Sequence, residues 1–150
     1  MRYPLFLDLS DQPVVVIGAG RVATRKIRSL IAAGASVTVV SPRARHRLKG
    51  VRWLRRRYRQ GDLAGARLVV AATDDLGVNK QVCAEAKRRK LLVNCVAPPS
   101  AGNFIVPAVA CRGRLTIAIS TGGASPELAK RLRRDLERIL RKDYPQLRDD

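Results

Sequence analysis

Apolar positions along the chain change period repeatedly, and each change marks an element. Pro13 to Ile17 (PVVVI) is a short continuous apolar run, the pattern of a strand buried on both faces. Gly18-Ala19-Gly20 breaks it, and Val22, Ala23, Ile27, Leu30 and Ile31 then recur at helical spacing, with Gly34 at the C′ position. Ser36 to Val40 (SVTVV) is a second strand, Val51 to Leu54 a weaker one and Arg67 to Ala72 (RLVVAA) a stronger one. A helix from about Leu76 to Arg89 and a strand from Leu91 to Val96 complete the series. Strands alternating with helices at these lengths predict parallel pairing through right-handed crossovers.

The pattern changes after Val96. Ala97 to Gly102 (APPSAG) is a rigid turn-rich break. Phe104 to Ala110 and Arg114 to Ser120 follow, read as a hairpin turning at Cys111-Arg112-Gly113, with Pro107 pushing the first segment toward an edge or bulge. A final helix opens with Ser125 as N-cap and Pro126 at N1, and Leu128, Leu132, Leu136, Ile139 and Leu140 form its apolar stripe. The expected architecture is α/β: a Rossmann-type parallel sheet with helices on both faces over residues 1–97. A small β-hairpin and amphipathic helix over 98–150 would then form a dimerisation and ligand-site region, since the stripe is more apolar surface than a lone helix should expose, although it could equally pack on its own sheet.

Composition narrows the function classes. The chain has 150 residues and a formal charge of +18, from 30 Lys and Arg against 12 Asp and Glu. Such a charge calls for a polyanionic partner or a solvated basic surface. Six scattered aromatics give no base-stacking platform, so specific nucleic-acid binding is not expected. Cys83, Cys95 and Cys111 match no zinc or redox spacing, and a reducing, cytoplasmic setting is expected. No apolar run reaches the ~20 residues of a spanning helix. Asp8 and Asp11 sit where a signal peptide would be uncharged, so neither membrane nor secretory routes are expected.

Gly18-x-Gly20-x-x-Ala23 lies between a strand and a helix, the context of a dinucleotide fingerprint. Gly18 allows the tight turn, Gly20 lets a pyrophosphate approach the main chain, and small Ala23 allows close packing. The second strand ends Val40-Ser41-Pro42-Arg43 with no acid for the ribose hydroxyls. Ser41 with Arg43 and Arg45 would suit a 2′-phosphate, and NAD held by Ser41 and main chain is equally open. Thr73 and Asp74 follow the fourth strand, where a parallel sheet places its ligands, and Asp75 suits a helix N-cap. Thr121-Gly122-Gly123 enters the last helix as a second anion cradle or an ordinary cap. His46 lies in a basic loop without a second metal ligand nearby, so no metal is expected.

In order, Tyr3 to Leu9, Val16 to Lys26, Ala71 to Asp75, Asn103 to Ala108 and Ser120 to Pro126 resemble the precorrin-2 dehydrogenase / sirohydrochlorin ferrochelatase family, the N-terminal part of siroheme synthases. The resemblance spans nearly the whole chain. It implies a Rossmann domain, NAD-dependent oxidation of precorrin-2 to sirohydrochlorin, iron insertion in some members, and a homodimer formed after the sheet. The substrate so implied carries eight carboxylates, which suits the basic charge. Carried over residue by residue, Arg21, Val22, Pro42 and Arg43 match dinucleotide-contacting positions, and Asn94, Asn103 and Thr121 fall along the tetrapyrrole side. The family's aspartate after its Asn-Val-Val strand is absent: Asn94-Cys95-Val96 places Ala97 there, which leaves the catalytic base unassigned. Members usually continue into a further helical domain, so chelation is expected to be the weaker activity. A non-catalytic dinucleotide or tetrapyrrole binder is the alternative that Ala97 raises.

Overall fold

A computed structural model describes residues 2–147. Its main sheet is wholly parallel, in the order β3-β2-β1-β4-β5. The strands are β1 (Pro13–Ile17), β2 (Ser36–Val40), β3 (Arg52–Leu54), β4 (Leu68–Ala71) and β5 (Leu92–Cys95). Helix α1 (Arg21–Ala32) crosses from β1 to β2 and α2 (Leu76–Arg88) from β4 to β5. Period-2 alternation within the buried strands sorts their side chains between two cores. Val14, Val16, Val37, Val39, Leu68 and Val70 pack with Ala23 and Ile27 of α1. Val15, Ile17, Val40, Val69 and Val93 pack with Val82, Cys83 and Ala86 of α2. The sheet is covered on both faces, which is why its strands read as continuous apolar runs.

Residues Phe6–Ile105 form one compact unit, and the other joins the segment ending at Leu5 to the chain from Val106 onward. The chain stays with the sheet beyond β5 for a physical reason. Asn103 accepts a hydrogen bond from the Val93 amide (2.8 Å) and donates to the Leu91 carbonyl (2.9 Å), and Phe104 packs on the α1-side core.

In the second unit, β6 (Ala108–Arg112) pairs antiparallel with β7 (Leu115–Ile119), and α3 (Pro126–Asp143) packs on β6. The hairpin differs from its sequence reading. Its first strand starts after Pro107, not at Phe104, and Arg112 pairs with Leu115 across Gly113-Arg114, so Cys111 and Arg112 are strand and not turn. Pro107 has no N–H for a ladder, and Phe104 is held by β5. A single 3₁₀ turn (Pro99–Ala101) occupies the proline-rich break. As expected, Ser125 caps α3, accepting from the Leu128 amide at 3.2 Å. Along the α3 stripe, Leu140 is buried while Leu128, Leu132 and Ile139 keep 36–42% of their surface exposed. No helix among the described residues is long and apolar enough to cross a membrane.

Candidate functional site at the sheet switch point

Strand order reverses between β1 and β4, because the chain leaves β1 toward β2 and later returns to β1's other side. The crevice beyond the carboxyl ends of these two strands is where an open α/β sheet binds ligands. Gly18 follows β1 into that crevice with φ of +103°, a region that L side chains rarely adopt. A Cβ there would stand 2.4 Å from the Ala72 carbonyl oxygen, so only glycine lets the two loops meet. The Gly18 amide donates to Val40 at 2.9 Å, which fixes the turn against β2 as well.

Gly20 is different. It is extended, and a Cβ on it would meet nothing within 4 Å, so the space in front of the α1 N-terminus is open. No side chain caps that end and its first turn holds no acid. The amides there and the positive end of the helix dipole are thus free to hold an anion. A glycine that must be glycine for packing, followed by one that leaves clear space over uncapped amides, fits a dinucleotide pyrophosphate.

The loop after β2 runs alongside. The Arg45 amide donates to the Ala19 carbonyl at 3.1 Å, joining this loop to the glycine turn. Ser41 is buried, and its hydroxyl donates to the Arg43 carbonyl at 2.6 Å. That hydrogen is spent on shaping the turn, so of the group Ser41, Arg43 and Arg45 only the arginine side chains offer donors to a phosphate. Pro42 and Arg43 are exposed, as is Arg21, and Val22 is half-buried.

Across the crevice, Thr73 and Asp74 follow β4, and Asp75 caps α2 by accepting from the Val78 amide at 3.0 Å. The residue that organises this end was missed in the sequence reading. Asn79 of α2 is fully buried, and its oxygen accepts from the Thr73 amide (3.0 Å) and hydroxyl (2.8 Å). Its Nδ2 donates to the carbonyls of Thr73 (3.1 Å) and Ala97 (2.9 Å). One carboxamide therefore ties the loop after β4 to the loop after β5, and holds position 97 beside the crevice. The signal was present: Asn79 shares the helical stripe of Val82, Cys83 and Ala86, where a polar residue needs partners to be buried.

The residues assigned to the tetrapyrrole side fall in both units. Asn94 is buried and donates to the Phe104 carbonyl at 3.1 Å, while its oxygen is buried without a partner. Asn103 spends its carboxamide on the backbone of Leu91, just before β5, and of Val93 within it. In the second unit, the Thr121 hydroxyl accepts from the Ser125 amide (3.1 Å) and donates to the Ser125 carbonyl (3.0 Å). Gly122 and Gly123 take φ of 68° and 96° to complete the turn. An anion at the α3 end would compete with the Ser125 cap and with Glu127 in the first turn.

Other titratable groups serve the frame. Burial pushes Glu85 up, but hydrogen bonds from Tyr58, Gly61 and Arg89 outweigh it and hold the carboxyl below its ordinary range. Burial beside Cys95 pushes the Cys83 thiol up to about 12, which keeps it protonated and unreactive. No group of three or more His, Cys, Asp or Glu able to hold a metal occurs among the described residues.

Residues 5–108 match an NAD(P)-binding family and residues 112–139 the sirohaem biosynthesis protein central family. The siroheme synthase of Methylobacillus flagellatus is 43% identical over 96% of this chain, and siroheme synthase 1 of Pectobacterium atrosepticum is 44% identical over 93%. The chain spans only about a third of their length, 32% and 31%. Among solved structures, the precorrin-2 dehydrogenase SirC superposes with a TM-score of 0.84 at 38% identity, covering 97% of this chain and 74% of SirC. The two matched families follow one another along the chain and SirC superposes over nearly all of it, so the chain belongs to the NAD(P)-binding precorrin-2 dehydrogenase / sirohydrochlorin ferrochelatase family.

Proposed function

We propose that this chain oxidises precorrin-2 to sirohydrochlorin with NAD, in siroheme biosynthesis. The observation that carries the reading is the switch-point cradle: Gly18 closed against Ala72, and Gly20 open before an uncapped helix. Bound NAD supplies the hydride acceptor. The chain's own part is to seat it and to steer the substrate. Gly18, Gly20, Arg21 and Val22 hold the pyrophosphate, Ser41, Pro42 and Arg43 border the adenosine ribose, and Thr73 and Asp74 close the other wall. Asn94, Asn103, Thr121, Gly122 and Gly123 are assigned to the tetrapyrrole. The unpartnered Asn94 oxygen supports that role for one of them, since a buried acceptor without a donor costs ~1–3 kcal/mol unless something satisfies it. The excess positive charge suits a substrate with eight carboxylates.

Oxidation removes a hydride and a proton from the macrocycle, and the proton needs an acceptor. Position 97, held by Asn79 at the end of β5, offers only a methyl group. We therefore assign the proton to water, which costs rate without abolishing turnover, because positioning supplies much of the acceleration. Iron insertion into sirohydrochlorin, where Fe²⁺ is a substrate, is the lesser activity for the same reason. The half-exposed α3 stripe supports a homodimer. Anaerobic incubation of the protein with precorrin-2 and NAD, following NADH and sirohydrochlorin together, tests the reading. Equimolar formation of both is expected. A folded, NAD-saturated protein that forms neither would leave the non-catalytic binder.

A further inference from the structure

We propose that Asp74 positions the water that accepts the proton of the oxidation and then takes the proton from it. The inference rests on the dehydrogenase reading and names a group of this chain for a step to which Ala97 contributes nothing. The electron pair of the broken C–H bond leaves as hydride to NAD, the ring proton goes to the water, and the water passes a proton to the Asp74 carboxylate. Exposed to solvent, Asp74 then releases it, so that sirohydrochlorin, NADH and one proton are the products.

The sheet brings Asp74 to the end of β5. Cys95 pairs with Ala71 in the parallel register, and continuing it two positions sets Thr73 beside Ala97. The Val96 amide extends that ladder, donating to the Ala71 carbonyl at 2.9 Å. Asn79 Nδ2 then closes it, donating to the carbonyls of Thr73 at 3.1 Å and Ala97 at 2.9 Å. Asp74 therefore leaves the sheet one residue after a position locked to Ala97. Its other neighbour is held too. The Asp75 amide donates to the Thr73 hydroxyl at 3.2 Å, and the Asp75 carboxylate caps α2. A fixed backbone carrying a free carboxylate is what a positioned proton acceptor requires.

The other acids of the sheet unit are committed elsewhere. Asp8 accepts from the Ser10 amide, Asp62 from Arg56 and the Arg59 amide, Asp75 from Val78, and Glu85 from Tyr58, Gly61 and Arg89. Asp11 precedes β1, at the amino end of the parallel sheet and away from the crevice. Among the described residues of this unit, Asp74 is the acid that stands at the carboxyl ends of the strands, exposed and without a hydrogen bond or ion pair. His46 lies in the loop after β2, on the adenosine side. The charged groups on the elements meeting around Asp74 are Asp75, Lys80 of α2 and Arg21 at the start of α1, and residues 97–102 carry none. A carboxylate here repels a substrate with eight carboxylates, and Asp75 already supplies the α2 cap, so neither binding nor capping accounts for it. A favourable charge near the α2 N-terminus is the static role that remains.

Single-turnover formation of NADH from precorrin-2, under anaerobic conditions and saturating NAD, reads the step. Asp74→Asn should slow it about tenfold or more, and Asp74→Glu should stay within about threefold of the native rate. The native rate should fall toward acid pH as the carboxylate gains its proton, and Asp74→Asn should lack that acid limb. Asp75→Asn, which still caps α2, should stay within about twofold of native. Titration with sirohydrochlorin gives a readout without turnover. Removing a like charge should let Asp74→Asn bind it about twofold more tightly, whereas weaker binding would make Asp74 a binding group and overturn the proposal. An Asp74→Asn rate within twofold of native, or a slower rate with the acid limb intact, would also overturn it and leave the dehydrogenase reading in place. So would a lower Tm or a raised NAD KM at a native single-turnover rate, which would confine Asp74 to the helix end or the cofactor wall. A native chain that forms neither NADH nor sirohydrochlorin would instead remove the dehydrogenase reading, and this inference with it.

Discussion

Replacing Asn79 by leucine tests how the crevice is held open. Leucine has nearly the same volume but removes every partner of the Thr73 amide, the Thr73 carbonyl and the Ala97 carbonyl given by this side chain. The Thr73 hydroxyl keeps Asp75 at 2.9 Å. Each unsatisfied buried group costs ~1–3 kcal/mol, and the lower figure applies because Thr73 and Ala97 are only half-buried, giving ~3 kcal/mol. Burying the leucine methyl groups returns ~1 kcal/mol. The net loss is then ~2 kcal/mol, or a fall in Tm of about 4–8 °C for a chain of this size. Urea denaturation followed by circular dichroism measures it, and an unchanged slope would place the effect in the folded state. With the loops after β4 and β5 no longer tied, dinucleotide affinity should fall about tenfold, ~1.4 kcal/mol. Asn79→Asp should be worse, because a carboxylate would face the two carbonyls that Nδ2 now serves. Asn79→Leu with an unchanged midpoint and unchanged affinity would refute the view that this carboxamide organises the site.

Gly20→Asp puts a carboxylate into the open space before α1, and should weaken NAD binding more than tenfold (~1.4 kcal/mol) with little change in Tm, measured by titration and thermal shift. Ala97→Asp should raise sirohydrochlorin formation by up to the ~10²–10⁴ of a positioned base, and raise iron insertion with it; an assay showing neither gain would mean that the missing acid is placed wrongly. Acid stability should report Asp62. The hydrogen bond from Arg56 lowers its carboxyl below the usual 3.8, so its contribution is complete above that value and is lost as pH falls through the depressed folded value. Asp62→Asn should flatten the acid limb of the stability–pH curve, and an unchanged limb would show that the pair contributes nothing.

Local pattern was enough for the order and type of the main elements. Continuous valine-rich runs between turn residues read as strands covered on both sides, and Gly18-Ala19-Gly20 between strand and helix read as a tight turn. The motif order likewise pointed to the family before any coordinates. Packing decided the rest, because its causes are distant in sequence. Gly18 is required by the Ala72 carbonyl, 54 positions away in the chain, and not by its own neighbours. Phe104 read as the start of a hairpin strand, yet Asn94 and Asn103 hold that stretch to β5, so the hairpin begins after Pro107. Ser41 read as a phosphate donor, until the turn showed its proton committed to Arg43. Asn79 did not stand out in the sequence, because its four partner groups come from the ends of two strands that only the parallel sheet brings side by side. Periodicity records which face a residue takes, whereas hydrogen-bond satisfaction depends on which other elements arrive at that face.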